Sequence, residues 1–197
     1  MKAGRASHIE DLGGGRLLRR GGNPGYEATV MKHARRHGYP VPEVFEVRED
    51  GLVLERIDGP TMQEDFELRP WRLRAHMRTL AELHHRLHEI EHPDGGTLLH
   101  LDLHSLNVIV GPDGPVVIDW TNAAAGDPAL DPALVWVIFR TSGVPVASRL
   151  AARLFISHFD SEEIAAALEA ACLYRLADPN TFPRERVRVE RLRRRYA

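Results

Sequence analysis

The chain has 197 residues, of which 43% are hydrophobic and 27% charged, and its formal net charge at pH 7 is −2. This composition predicts a soluble globular protein with one domain or two small lobes, and the nearly balanced charge argues against nucleic acid or a membrane as a partner. The single cysteine, Cys172, excludes an intramolecular disulfide and fits a reducing cytoplasm. No apolar run is long enough to span a membrane. Residues 1–12 lack the apolar core of a signal peptide.

Short apolar runs separated by turns predict a small β-rich unit at the start of the chain. An Asp58-Gly59-Pro60 break follows this unit. Because Gly and Pro interrupt regular structure, we place a lobe boundary there, with residues 1–58 before it and residues 59–197 after it. The elements predicted for the first lobe are a hairpin over 1–20 with its turn at 13–15, a helix over 26–37 that ends at Gly38, and strands over 41–47 and 52–57.

A long amphipathic helix is predicted over residues 70–90, and its end carries a metal-binding pattern. The residues from His88 to His92 match H-E-x-x-H, with which zinc peptidases hold a metal through two histidines. Pro93 disfavours helical geometry at His92, and the expected position of a third ligand holds Leu98. A zinc hydrolase that uses His88 and His92 is therefore the less favoured alternative to a polar helix face with several histidines.

The middle of the chain contains the most specific functional pattern. Two β-branched runs, 108–110 and 116–118, flank a turn that contains Gly and Pro, and this predicts a hairpin. The hairpin would bring Asp119 back beside Asn107 and Asp102. Carboxylate and amide oxygens are the ligands that Mg²⁺ prefers, usually together with phosphates, and a carboxylate left off the metal could accept a hydroxyl proton. Kinase-like enzymes use this arrangement for phosphoryl transfer.

Helices are predicted again for the rest of the chain. An apolar helical stretch continues through Phe139, and further helices are expected over 147–159 and 161–177, the latter with Ser161 as its N-cap. The arginine-rich tail over residues 184–195 is interpreted as a solvated basic helix face.

The stretch HLDLHSLN at residues 100–107, followed by IDW at 118–120, resembles the aminoglycoside phosphotransferase family. That family is the small-molecule branch of the kinase-like fold and typically has H-G-D-L-H-x-x-N and then I-D-W or I-D-F. Leu101 stands in place of the family's Gly, and Ser105 stands where Pro is common. The resemblance implies an α+β, two-lobe protein-kinase-like fold with an abbreviated N-terminal β-rich lobe and a mainly helical C-terminal lobe.

The resemblance also implies an enzyme that transfers the γ-phosphoryl group of ATP to a hydroxyl of a small molecule. Asp102 would accept or orient the hydroxyl proton, and Asn107 and Asp119 would hold Mg²⁺. His104 would orient the loop or contact phosphate. In the segment that resembles the family's G-D-P-x-x-D, Asp131 and Asp127 are expected to be structural, helping to hold the catalytic loop.

On the nucleotide side, the resemblance assigns residues of the first lobe. Arg19 lies where kinase-like enzymes keep a phosphate-contacting lysine, and Glu27 would pair with it. The backbone around Glu55 and Ile57 would bind adenine, and Ser7 belongs to a remnant of the phosphate-covering loop. Little sequence precedes that loop, so the lobe is expected to be abbreviated and its nucleotide affinity weak. A nucleotide-binding pseudoenzyme of the same fold is the main alternative, and the oligomeric state stays open.

Overall fold

The computed structural model describes residues 8–141, 145–179 and 181–196. A β-rich first part precedes a mainly helical second part, as predicted, whereas the proposed lobe boundary at residue 58 stays a prediction. The strands are β1 (His8–Gly13), β2 (Arg16–Arg20), β3 (Val44–Arg48), β4 (Gly51–Glu55), β5 (Thr97–Leu99), β6 (Val108–Gly111), β7 (Gly114–Val117) and β8 (Ala124–Gly126). The helices are α1 (Pro24–Arg36), α2 (Met62–Leu68), α3 (Leu73–His88), α4 (Leu130–Thr141), α5 (Pro145–Ile156), α6 (Ser161–Ala177) and α7 (Pro183–Arg193).

The first four strands form one antiparallel sheet in the order β1-β2-β4-β3. The predicted hairpin is present over residues 8–20, and residues 1–7 lie outside the described part of the chain. Its turn at residues 13–15 has φ values of 74°, 59° and 72°, which only glycine adopts without strain. In the middle of the sheet Leu17 lies opposite Leu54, and both side chains are buried.

The helix α1 begins at Pro24, slightly earlier than the sequence pattern predicts. The side chain of Asn23 accepts a hydrogen bond from the amide of Tyr26 at 3.2 Å, which makes it the N-cap, and proline is well suited to the first helical position. The helix ends at Arg36, and Gly38 follows it with φ +75°, consistent with the predicted glycine stop. Its buried face packs against β3 and β4.

Two other boundaries differ from the sequence prediction for identifiable reasons. The strand predicted over 41–47 begins only at Val44, because Pro42 has no N–H to donate to a ladder. The helix predicted over 70–90 is a 3₁₀ turn, Pro70–Arg72, followed by α3.

A short helix, α2, was not predicted. Thr61 and Glu64 form a reciprocal capping box at its start: the amide of Glu64 donates to Thr61 Oγ1 at 3.2 Å, and the amide of Thr61 donates to Glu64 Oε2 at 2.9 Å. The T-x-x-E pattern of residues 61–64 is the sequence signal that predicts such a helix start. The backbone at the start of α2 also contacts the loop over residues 100–107, since the amide of Gln63 donates to the carbonyl of Ser105 at 3.1 Å.

The start of α6 corrects the predicted N-cap. Ser161 is already helical, whereas Asp160 has the extended backbone conformation that a cap requires. One carboxylate oxygen of Asp160 accepts from the amides of Glu162 and Glu163 at 2.9 and 3.0 Å. The arginine-rich tail forms α7, and most of its arginines are exposed.

The hairpin formed by β6 and β7 is anchored by the residue that follows Asp119. Trp120 is fully buried, and its indole N–H donates to the carbonyl of Val117 at 3.1 Å. The indole also packs edge-on against Tyr39 and lies against the His100 ring, with centroids 5.7 and 4.8 Å away. This packing holds the end of the hairpin against the core.

Among the described residues, no helix is long and apolar enough to cross a membrane.

Candidate active site

The loop over residues 100–107, which the resemblance makes the catalytic loop, is held at its start by a buried carboxylate from α4. The two oxygens of Asp131 accept the backbone amides of His100 and Leu101 at 2.9 and 2.6 Å, and His88 Nε2 donates to Asp131 at 3.3 Å. Burial disfavours the ionised carboxylate, but the hydrogen bond from His88 and the neighbouring histidines outweigh it, so the pKa of Asp131 is lowered. Asp131 thus holds the loop, as expected.

Leu101 occupies the position at which the resembled family has glycine, and its backbone shows why. Its φ is +61°, in the left-handed region that costs a side-chain-bearing residue about 1–2 kcal/mol. The side chain is nonetheless buried, and the amide is one of the two that Asp131 holds. Burial and the Asp131 contact therefore maintain a conformation that leucine would otherwise avoid.

Both carboxylate oxygens of Asp102 have a partner. His104 Nδ1 accepts the amide of Leu106 at 3.2 Å, so the proton of this imidazole is on Nε2, which lies 3.3 Å from Asp102 Oδ1. Asn107 Nδ2 donates to Asp102 Oδ2 at 3.0 Å and to the Asp102 carbonyl at 2.9 Å. Burial opposes ionisation, but the neighbouring His104 outweighs it, and the pKa of Asp102 is lowered. The carboxylate is held ionised and oriented at neutral pH.

The hairpin brings Asp119 beside Asn107, as the sequence predicts. The amide of Ile118 donates to the carbonyl of Asn107 at 2.9 Å, which closes the two strands at this end. Asp119 has φ +64°, and its Oδ1 accepts the hydroxyl of Thr121 at 2.8 Å.

The oxygens at this end of the hairpin fit a hard cation. The amide nitrogen of Asn107 is used by Asp102, so its side-chain oxygen and Asp119 Oδ2 are left without a hydrogen-bond partner among the described residues. One amide oxygen and one carboxylate oxygen suit Mg²⁺, which completes its shell with water and phosphate oxygens.

Arg19 and Glu27 form the expected ion pair between β2 and α1. Both side chains are buried, and Arg19 Nη2 contacts Glu27 Oε2. Arg19 Nη1 donates to Thr121 Oγ1 at 3.2 Å, and the amide of Trp120 donates to Glu27. Burial raises the pKa of Glu27 and Asp119 adds to this, whereas Arg19 opposes it. The pair therefore lies against the residues next to Asp119.

The expected adenine contacts differ in their availability. The amide of Glu55 already donates to the carbonyl of Glu43 at 2.9 Å. The backbone of Ile57, in contrast, makes no hydrogen bond to the described residues. Ser7 lies outside the described part of the chain.

The H-E-x-x-H residues are not arranged as a metal site. The helix α3 ends at His88, whose Nε2 contacts Asp131, and His92 lies beyond the helix. His92 Nδ1 accepts the amide of Asp94 at 3.1 Å, and its Nε2 lies 2.9 Å from the hydroxyl of Tyr26. Both nitrogens of His92 are thus engaged. Within residues 8–141, 145–179 and 181–196, no group of three or more His, Cys, Asp or Glu side chains could hold a metal ion.

The end of α6 influences Asp102 electrostatically, which the sequence pattern does not predict. The charge of Arg175 helps to lower the pKa of Asp102, and burial together with the charge of Asp102 raises the pKa of Tyr174. Arg175 is held by Glu185 at 2.9 Å and Asp178 at 2.8 Å. No local motif marks these residues, because their proximity to Asp102 depends on how α6 packs.

Comparisons with known proteins identify the family of this chain. Residues 63–168 match the model of the phosphotransferase enzyme family named APH. A probable bifunctional tRNA threonylcarbamoyladenosine biosynthesis protein from Methanosphaera stadtmanae is 22% identical over 144 residues. That match covers 70% of this chain but only 26% of the relative, so the chain spans about a quarter of that relative's length.

Solved structures show the fold. A thermostable mutant of the aminoglycoside phosphotransferase APH(4)-Ia, in a ternary complex with AMP-PNP and hygromycin B, superposes with a TM-score of 0.71 at 18% identity, covering 98% of this chain and 92% of that one. A choline/ethanolamine kinase family protein from Mesorhizobium loti gives a TM-score of 0.60 at 16% identity, covering 98% and 85%. The family match spans more than half of the sequence, and the chain therefore belongs to the phosphotransferase enzyme family and has its protein-kinase-like fold.

Proposed function

We propose that this protein transfers the γ-phosphoryl group of ATP to a hydroxyl of a small molecule. The observation that carries the proposal is the fixed carboxylate of Asp102, which His104 and Asn107 hold beside the hairpin end that bears Asp119. The acceptor oxygen bonds to the γ-phosphorus as the bond to the bridging oxygen of ADP breaks, and the hydroxyl proton passes to Asp102.

The low pKa of Asp102 suits this role. Phosphoryl transfer passes through a loose transition state that needs a well-oriented hydroxyl more than a strong base. An ionised carboxylate in a fixed orientation can accept the hydroxyl hydrogen bond and then its proton. Asn107 and Asp119 would hold Mg²⁺, which when bound neutralises charge on the phosphates.

The nucleotide would lie between the two parts of the chain. Arg19, oriented by Glu27, would offset phosphate charge, and Ser7 would belong to the loop that covers the phosphates. The backbone around Glu55 and Ile57 would bind adenine, with the unpaired groups of Ile57 as the better candidates.

The acceptor would lie between the catalytic loop and the end of α6. Near that end, Arg175 lies between the carboxylates of Asp178 and Glu185. Fold neighbours include a complex with hygromycin B and a choline/ethanolamine kinase family protein. Amino alcohols and aminoglycosides are therefore the first acceptors to test.

A nucleotide-binding pseudoenzyme is the second candidate. It is favoured by Arg19 in place of the family's lysine, because both terminal nitrogens of this arginine already have protein partners. Arginine and lysine are not equivalent at such positions. Binding of Mg²⁺–ADP without ATP consumption in the presence of any acceptor would support this candidate.

The test is steady-state ATP consumption with the acceptor panel for the wild-type protein and two variants. We expect Asp102→Asn to lower turnover by about 10²–10⁴-fold, as the loss of a positioned base does, while Mg²⁺–ADP affinity changes only a few-fold. Asp113→Asn, in the exposed turn of the same hairpin, is the matched control and should behave as wild type. Near-normal turnover of Asp102→Asn would remove Asp102 from the mechanism.

A further inference from the structure

Thr121 links the ion pair of the first lobe to Asp119. Its hydroxyl accepts a hydrogen bond from Arg19 Nη1 at 3.2 Å and donates one to Asp119 Oδ1 at 2.8 Å. A hydroxyl has a single proton, so the arginine must donate into the oxygen while the proton points at the carboxylate. The three side chains therefore form a directed path from β2 to the end of the hairpin.

The guanidinium of Arg19 is what allows this path. Its planar fork presents separate nitrogens in fixed directions. Nη2 is bound to Glu27 and Nη1 to Thr121, so one side chain holds both partners at once. A lysine ammonium would present one nitrogen in this place. Arg19 thus contacts Thr121, which lies close to Asp119 in the chain, in addition to its partner Glu27.

Gly22 makes room for the methyl group of Thr121. A Cβ atom built on Gly22 would lie 3.2 Å from the methyl group of Thr121, and Gly22 has φ +70°. The turn before α1 thus allows the threonine methyl to fit closely against backbone. With the methyl located there, the hydroxyl is directed to Arg19 and Asp119, although the residue as a whole is exposed.

We propose that Thr121 is a positioning residue that orients Asp119 for the metal. By occupying Oδ1, its hydroxyl leaves Oδ2 as the oxygen that faces a cation. Asp119 needs such a partner because its φ of +64° is unfavourable for a residue with a side chain. The path also makes metal binding respond to Arg19, and so to the nucleotide phosphates. This inference rests on the proposed function, in which Asp119 is a Mg²⁺ ligand.

The experiment separates metal-dependent from metal-independent binding. Affinities of ADP with Mg²⁺ and of ADP with EDTA are measured by calorimetry for Thr121→Val, which keeps the shape but loses the hydroxyl, and for Thr121→Ser, which keeps the hydroxyl. We expect Thr121→Val to weaken Mg²⁺–ADP binding roughly three- to tenfold, the range for one net hydrogen bond. Binding of ADP with EDTA should change less than about twofold, and Thr121→Ser should remain near wild type.

Two further variants make the result decisive. Asn122→Ala removes the adjacent exposed side chain, which makes no hydrogen bond to the described residues, and should leave both affinities unchanged. Asp119→Ala should abolish the advantage that Mg²⁺ gives to ADP binding. If it does not, the proposed function fails at its metal site. If Asp119→Ala has this effect but Thr121→Val binds Mg²⁺–ADP as wild type does, only the role of Thr121 is overturned.

A merely structural role would give a different pattern. It would weaken ADP binding equally with Mg²⁺ and with EDTA, and Thr121→Ser would not restore it. That outcome also overturns the proposal. If Thr121→Val does not fold, Thr121→Ala replaces it, because alanine removes the hydroxyl without adding a methyl group. This variant must show the same Mg²⁺-specific loss of ADP affinity.

Discussion

Replacing Asp131 by Asn should destabilise the protein and displace the catalytic loop, because one buried carboxylate holds two consecutive amides. The amides of His100 and Leu101 donate to its two oxygens, and His88 donates as well. Asparagine keeps one acceptor oxygen and places an NH₂ group where the other oxygen was. At least one buried amide would lose its acceptor and face a donor instead.

The magnitude follows from those contacts. Loss of a hydrogen bond to a charged acceptor costs about 1.5–3 kcal/mol, and a buried N–H left without a partner costs about 1–3 kcal/mol. Leu101 would also no longer be held in its left-handed conformation. Relief of that backbone strain, about 1–2 kcal/mol, favours a rearranged loop. Because that relief offsets part of the cost, we expect a net loss of roughly 1–5 kcal/mol in the free energy of unfolding. Turnover should also fall, since Asp102 follows Leu101 directly.

Urea denaturation followed by circular dichroism measures the loss of stability, with Asp127→Asn as control. The side chain of Asp127 is exposed, and its one hydrogen bond among the described residues comes from the amide of Ala129 at 2.9 Å, so its replacement should cost less than about 1 kcal/mol. Equal stability of Asp131→Asn and Asp127→Asn would refute the reasoning.

The pH dependence of stability provides a second readout for Asp131. The pKa of this carboxyl is lower in the folded protein than in the unfolded chain. Its contribution is therefore fully present above the ordinary Asp pKa of about 3.9 and is lost as pH falls through the folded-state value. Wild type should lose stability more steeply than Asp131→Asn on acidification below about pH 4.

Two more predictions concern buried residues around the catalytic loop. Leu101→Gly would relieve about 1–2 kcal/mol of backbone strain but remove a buried leucine side chain, which costs about 2–5 kcal/mol; we therefore expect a net loss of stability in thermal unfolding, and a gain would show that strain dominates. Burial lowers the pKa of His84 to about 4, and its Nε2 has no partner among the described residues. The unfolded chain takes up this proton near pH 6.5, so His84 destabilises the fold increasingly between about pH 6.5 and 4, and unfolding titrations of His84→Leu should show a weaker acid sensitivity there; an unchanged pH profile would contradict this.

Local sequence determined a large part of the site. The hairpin follows from β-branched runs around a Gly- and Pro-containing turn, and the strand pairing necessarily brings Asp119 beside Asn107. The spacing from Asp102 to Asn107 was equally readable, because one short loop connects them. Capping signals were readable too, although α2 was missed and Asp160 was overlooked in favour of Ser161. Such features depend on neighbours within a few residues.

Tertiary structure alone decided how these residues are held. Arg19 meets Thr121 across 102 positions of sequence, and Asp131 meets the amide of Leu101 across 30. Neither contact has a local pattern, since each depends on how α1 and α4 pack against the hairpin and loop. The engagement of both nitrogens of His92 was likewise visible only in the fold. The sequence determined which groups are available for phosphoryl chemistry, because residue type and spacing are local properties. Packing determined which oxygens and nitrogens remain free, because each free atom depends on partners that are distant in the chain.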